Sequence, residues 1–351
     1  MATDTAERTP APVPPAPPAP APADVAWQLV TASWTTHVVR AMAVLGIADH
    51  LAAGPQRIDD LATLTDTHAP TLKRLLHALV GLGLVAGDDA GSVSLTPVGE
   101  YLRTDTPGTA LPFALGVMAP HFEHAWHALP DAVQTGQSVF AQVHGSSFWD
   151  YLSAHPTAGA AFDAAMSGGG DLARMLLATR DLSGVRTLVD VGGGQGRLLT
   201  GALSAMPKMH GILFDQPDVV ARAGHVIDAA GVRDRCTVVG GDFFVEVPSG
   251  GDGYVLATII HDWPDAESVE ILRTCHRAMA PGARIWLIEN VVTSGPGNLW
   301  TAQLDLLMLV LFGAQERSAA QYQTLLETAG FTDVAVFPVE RTLSIIEAVR
   351  P

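Results

Sequence analysis

From Gly184 onward, short apolar runs alternate with helical stretches, and this alternation restricts the fold more than any other feature of the chain. The runs are Thr187–Val191, Gly211–Phe214, Thr237–Val239, Tyr254–Ile260, Arg284–Ile288, Val334–Phe337 and Leu343–Val349. Strands alternating with helices imply a mostly parallel sheet with helices on both faces. In such α/β sheets ligands bind at the carboxyl ends of the strands. The residues just after each run are therefore the candidate functional positions.

The first run leads into Asp190-Val191-Gly192-Gly193-Gly194-Gln195-Gly196. Gly192, Gly194 and Gly196 let the backbone turn tightly and approach a ligand before the next helix starts. Many α/β proteins use such a loop only to turn, so its neighbours must identify the ligand. A dinucleotide fingerprint needs another glycine three residues after the second, and Arg197 stands there. Asp190 places a carboxylate before the loop that would repel a pyrophosphate but suits the cationic amino group of a methionine-like tail. The second run is followed by Asp215, 25 residues after Asp190, where a carboxylate can accept from both ribose hydroxyls. The third leads into Gly241-Asp242-Phe243-Phe244. Asp242 can accept from the exocyclic amine of adenine while Phe243 packs on the ring. One such acid is as readily a turn residue, but three in phase with three strand ends point to a bound nucleoside.

The amino-terminal half reads differently. Residues 10–23 alternate Pro and Ala, so residues 1–23 are expected to form a disordered or polyproline-like tail. Trp27, Val30, Trp34, Val38 and Met42 then recur at helical spacing. Ile58, Leu61 and Leu64 line a short helix, and Pro70 opens a second carrying Leu72, Leu76 and Leu79. Leu84-Val85 and Val93-Ser94-Leu95 flank a glycine-containing tip as a hairpin, and Thr96-Pro97 opens a further helix. This is a winged helix-turn-helix outline, expected over residues 24–105. Residues 106–182 read as helices rich in aromatic residues and histidine, mostly core, with Trp149, Phe162 and Met166 as candidates for lining a pocket for a flat apolar substrate. Ser167-Gly168-Gly169-Gly170 suggests a hinge, and residues 183–351 form the ligand-binding domain.

Charge and composition narrow the partners. Lys+Arg number 20 against Asp+Glu 36, for a net charge of −16. Such a chain repels phosphate backbones and anionic lipid, so neither nucleic acid nor a membrane surface is an expected partner. The second helix of the winged unit offers only Lys73, Arg74 and His77 to phosphates, which favours a packing or dimerisation role. No apolar run is long enough to span a membrane. The start shows no basic segment followed by an apolar core, and two cysteines make neither a disulfide framework nor a zinc site. A cytoplasmic protein without a bound metal is the expectation.

The fourth run leads into His261-Asp262-Trp263-Pro264-Asp265, the fifth into Glu289, and Glu316 follows the apolar stretch Leu304 to Phe312. With the nucleoside motifs, this pattern resembles the small-molecule O-methyltransferases: plant caffeate-type enzymes, hydroxyindole O-methyltransferase and bacterial polyketide-tailoring enzymes. The resemblance runs from about residue 24 to the end and includes Glu316-Arg317-Ser318. It implies a Rossmann-like class I methyltransferase sheet behind a helical, winged-helix dimerisation domain. It also implies a homodimer, S-adenosyl-L-methionine as cofactor, and His261 as general base flanked by Glu289 and Glu316. The acceptor would be a hydroxyl of a small aromatic natural product. Asp262 and Leu311 join Trp149, Phe162 and Met166 as candidate acceptor contacts. Two positions depart from the family pattern: Ala257 stands where a lysine is frequent near adenine, and Leu311 where plant members have an acceptor-orienting asparagine.

A phenol with pKa about 10 stays protonated at neutral pH, and a neutral imidazole of pKa about 6.5 can take its proton as attack proceeds. Glu289 or Glu316 would hold the imidazole in one tautomer. Two alternatives oppose this reading: a relative that uses the bound cofactor for hydroxylation, decarboxylation or cyclisation, and a winged-helix ligand-sensing regulator. The intact His261, Glu289 and Glu316 speak against the first, and the acidic surface against the second.

Overall fold

The computed structural model describes residues 21–88, 91–167, 171–293, 298–340 and 342–351. All seven apolar runs form strands of one sheet: β1 (Thr187–Val191), β2 (His210–Asp215), β3 (Cys236–Gly240), β4 (Gly253–Ala257), β5 (Arg284–Val292), β6 (Thr332–Glu340) and β7 (Leu343–Val349). Their order is β6-β7-β5-β4-β1-β2-β3. Neighbours among β1 to β5 are parallel, while β7 lies antiparallel between β5 and β6. The strand order reverses between β1 and β4, which opens a crevice at their carboxyl ends.

Side chains follow the two-residue period of a strand. Val189, Val191, Tyr254, Leu256, Ile285 and Leu287 pack with helices Asp265–Ala278 and Ala319–Ala329. Leu188, Val255, Trp286 and Ile288 pack with helices Leu172–Thr179 and Arg197–Ala205 on the other face. Cover on both faces explains why the strands read as continuous apolar runs. Full burial of each such side chain contributes roughly 1.5–3 kcal/mol.

The fourth run is a strand only to Ala257, short of the expected Ile260. Thr258 has φ +54°, a conformation that β-branched residues rarely adopt. The chain then makes a 3₁₀ turn over Ile260–Asp262. The cause lies on β5, where Glu289 Oε1 accepts from the N–H groups of Ile259 (3.1 Å) and Ile260 (2.8 Å). That carboxylate replaces the sheet partner these donors would otherwise need.

The amino-terminal helix is two helices, Pro22–Val30 and Ala32–Val44. Thr31 separates them, its Oγ1 donating to the Trp27 carbonyl at 2.8 Å, a back-bond that competes with helix continuation. The apolar stripe is buried only at its far end. Met42 is fully buried, whereas Trp27, Val30 and Trp34 are about 70% exposed. Pro22 and Ala23, assigned to the tail, already belong to the first helix, and residues 1–20 lie outside the described residues.

Gln56–Arg57, Ser92–Leu95 and Val85–Gly87 form a three-stranded antiparallel wing beside helices Ile58–Leu64 and Ala69–Gly81. Thr96 Oγ1 accepts from Gly99 N at 3.1 Å, but the chain then makes only a 3₁₀ turn, Gly99–Leu102, in place of the expected helix. Short helices occupy much of Leu111–Ser167, and another spans Leu172–Thr179. The proposed glycine hinge falls on residues 168–170, outside the described residues.

Candidate active site

The loop after β1 carries φ values of +70°, +58° and +83° at Gly192, Gly194 and Gly196, which glycine adopts without a steric penalty. Its shape is fixed from β2. Asp215 Oδ2 accepts from Gly194 N at 2.8 Å, and Oδ1 from Gln216 N at 2.7 Å. Burial nevertheless holds the Asp215 carboxyl above its ordinary value.

Asp190 lies beneath the loop, 1% exposed, and its Oδ2 has no hydrogen-bond partner among the described residues. Burial first, and the charge of Asp215 second, push this carboxyl up to about 7. A Cβ on Gly193 would come within 2.6 Å of that oxygen, and one on Gly192 within 2.5 Å of Ile259. An unpartnered buried carboxylate oxygen beneath a backbone cradle with no room for side chains at Gly192 and Gly193 fits a cofactor bearing a ribose and a cationic amino group. Asp242 is exposed, and its Oδ1 accepts from Phe244 N at 2.9 Å. Half of that carboxylate therefore caps its own turn. Phe243 packs edge-on against Phe244 and Trp263, with centroids 5.1 and 5.8 Å away.

The strand ends bring the three family-implied catalytic residues together. His261 Nδ1 is 2.8 Å from Glu316 Oε1 and 3.8 Å from Glu289 Oε2. His261 Nε2 faces Asp262 Oδ1 at 3.5 Å, too long for a sound hydrogen bond. All four side chains are buried. Burial alone would lower the imidazole pKa. Glu289, Asp262 and Glu316 override it and push His261 up to about 10, not the ordinary value assumed from sequence. Burial likewise pushes Glu289 and Asp262 up to about 7.

The acceptor candidates divide. Trp149 stacks on Phe312 (5.4 Å, 16°) and meets Phe162 edge-on at 5.8 Å. Leu311 is buried in the same aromatic cluster, alongside Phe122 and Phe148. Helix Leu299–Phe312, which carries Leu311, also touches the His261 turn. Met166 is 46% exposed and lies outside that cluster.

Sequence reasoning missed Asp305 and gave Arg317, though part of the quoted motif, no role. Asp305 Oδ1 accepts from Glu316 N at 2.8 Å; a lone acid inside an apolar helical stretch was the available signal. Arg317 is fully buried and donates to the carbonyls of Ile260 (2.8 Å) and Trp263 (2.7 Å) and to Asp265 Oδ1 (2.9 Å). It pins the backbone on both sides of His261. Among the described residues no group of three or more His, Cys, Asp or Glu could hold a metal ion, and no helix is long and apolar enough to cross a membrane.

A sheet of this order, with a glycine cradle and acids at successive strand ends, defines a class I S-adenosylmethionine-dependent methyltransferase. Residues 126–332 match the O-methyltransferase domain and residues 27–105 the O-methyltransferase dimerisation domain. The chain belongs to this O-methyltransferase family, and its cofactor is S-adenosyl-L-methionine. It is 40% identical over 333 residues to the phenazine O-methyltransferase of Lysobacter antibioticus, covering 94% of this chain and 96% of that one. A crystal structure of an O-methyltransferase from neocarzinostatin biosynthesis, in complex with S-adenosylmethionine and 2-hydroxy-5-methyl naphthoic acid, superposes with a TM-score of 0.76 at 33% identity, covering 90% of this chain and 95% of that one. The aclacinomycin 10-hydroxylase of Streptomyces purpurascens is also similar, 34% identical over 302 residues, covering 84% of this chain and 81% of that one.

Proposed function

We propose that this O-methyltransferase acts on a hydroxyl of a small aromatic acceptor, with His261 as general base held by Glu316. The observation that carries the reading is the buried 2.8 Å contact between His261 Nδ1 and Glu316 Oε1. When bound, the cofactor supplies a methyl group already activated on a sulfonium. In the neutral ring Nδ1–H donates to Glu316 Oε1, which leaves Nε2 as the acceptor nitrogen. Nε2 would take the proton of an acceptor hydroxyl, freeing its oxygen for the methyl group that the sulfonium would release as it becomes a neutral thioether. The neighbouring carboxylates raise the imidazole's proton affinity toward that of a phenol, so the neutral ring that acts as base becomes more abundant as pH rises.

Glu289 acts differently. One of its oxygens holds the backbone of Ile259 and Ile260, and its charge favours the imidazolium. Trp149, Phe162 and Leu311 offer a flat apolar wall to an aromatic acceptor. Asp190, Asp215, Asp242 and Phe243 serve the cofactor. On this reading residues 24–105 pair two copies of the chain, 106–182 line the acceptor side, and 183–351 bind cofactor.

The test is to incubate the enzyme with methyl-labelled S-adenosylmethionine and a panel of hydroxylated phenazines, naphthoates and benzoates, followed by mass spectrometry. Label in an acceptor ether is the expected result. An acceptor consumed while the label stays on the cofactor would replace this reading with a non-methylating one, as the hydroxylase relative suggests.

A further inference from the structure

Adjacent residues of the cofactor loop are held from two different layers of the protein. Gly194 is held from within the sheet, through its N–H to Asp215. Gln195 is held from outside it. Its Nε2 donates at 3.2 Å to Asp163 Oδ2, which also receives Arg222 Nε (3.0 Å) and Nη2 (2.8 Å). Asp163 lies on helix Pro156–Ser167, and its side chain is only 13% exposed.

That helix belongs to the aromatic layer. It carries Phe162, the residue next to Asp163, whose ring packs against Phe148 at 5.2 Å and Trp149 at 5.8 Å. It lies so close to helix Leu111–Gly116 that a Cβ on Gly116 would come within 2.6 Å of the Ala161 carbonyl oxygen. One carboxylate therefore joins the loop that turns around the cofactor to the helix that forms the aromatic wall.

We propose that Asp163 is a positioning residue that couples cofactor binding to the placement of the helix bearing Phe162. Filling the loop steadies Gln195, Gln195 steadies Asp163, and the aromatic wall becomes more rigid when the cofactor is in place. Arg222 orients the Asp163 carboxylate through its two N–H donors. This inference rests on the cofactor assignment and is independent of which acceptor is methylated.

The experiment is hydrogen–deuterium exchange of the full-length enzyme with and without S-adenosylhomocysteine. In the wild type, ligand should slow exchange in the loop at residues 192–196 and also in helix Pro156–Ser167. In Asp163→Ala and in Gln195→Ala, the loop should still be protected while the helix is not. Affinity for S-adenosylhomocysteine should fall about 2- to 13-fold in each variant, as expected for loss of one net hydrogen bond. Gln195→Ala leaves the Asp163–Arg222 pair intact, so it tests the link even if Asp163→Ala folds poorly. A wild-type helix that gains no protection, or a Gln195→Ala enzyme whose helix is protected as in the wild type, overturns the proposal.

Discussion

His261 Nδ1 lies 2.8 Å from Glu316 Oε1, with both side chains buried, while Glu289, the nearer acid in sequence, is 3.8 Å from the same nitrogen and spends one oxygen on the backbone. The two acids thus have separate jobs. One orients the ring; the other shapes the turn that presents it. Replacing His261 with Ala or Gln should leave cofactor affinity near the wild-type value, because the nucleoside contacts lie on other strands. Turnover should fall by about 10²–10⁴, the usual contribution of a positioned base. Calorimetry with S-adenosylhomocysteine alongside a methyl-transfer assay checks both halves, and full turnover in His261→Ala would eliminate the base.

The pH profile separates the acids. The base works when neutral, so kcat/KM should rise with pH, and its ascending limb should lie alkaline of 6.5, toward the value of about 10 to which the carboxylates raise His261. Glu289→Gln removes a negative charge that favours the imidazolium, so this limb should move to lower pH. Glu316→Gln should cost more in turnover than Glu289→Gln, because the tautomer is no longer enforced. A Glu289→Gln profile that stays in place or moves to higher pH contradicts the assignment.

Asp215→Ala should weaken cofactor binding by roughly 1.5–3 kcal/mol, the worth of a charge-assisted hydrogen bond. It also frees Gly194, so the loop loses its anchor. Asp242→Ala should cost less, since one of its oxygens already caps the Phe244 turn and the side chain is exposed. Titration calorimetry gives the order, and equal affinity in wild type and Asp215→Ala would remove Asp215 from the site.

Trp27, Leu29, Val30 and Trp34 are each about 70% exposed on the first two helices, a concentration of apolar surface that soluble monomers rarely leave open. They lie within the matched dimerisation domain. Sedimentation should give about twice the chain mass, and Trp27→Glu with Trp34→Glu should shift it to one. A wild-type monomer at micromolar concentration would sink the dimer.

The sequence by itself determined the seven strands, the sheet class and the cofactor loop, because each is written in local pattern. Apolar runs such as Arg284–Ile288 need only their own side chains to be recognised as strands buried on both faces. The cradle likewise needs only glycines where φ is positive. It also determined which types of residue would meet, since Asp190, Asp215, His261 and Glu289 all lie in or just beyond the carboxyl-terminal halves of strands that a parallel sheet must align. Tertiary structure decided what those residues do to one another. That Glu316 rather than Glu289 reaches Nδ1, that β4 stops at Ala257, and that His261 is pushed to about 10 all depend on distances of a few ångströms between segments far apart in the chain. The same holds for Arg317 on Ile260 and Trp263, and for Asp163 on Gln195. Hydrogen bonds and buried charges act over such distances and leave no periodic trace in sequence, whereas burial of a helix or strand face does.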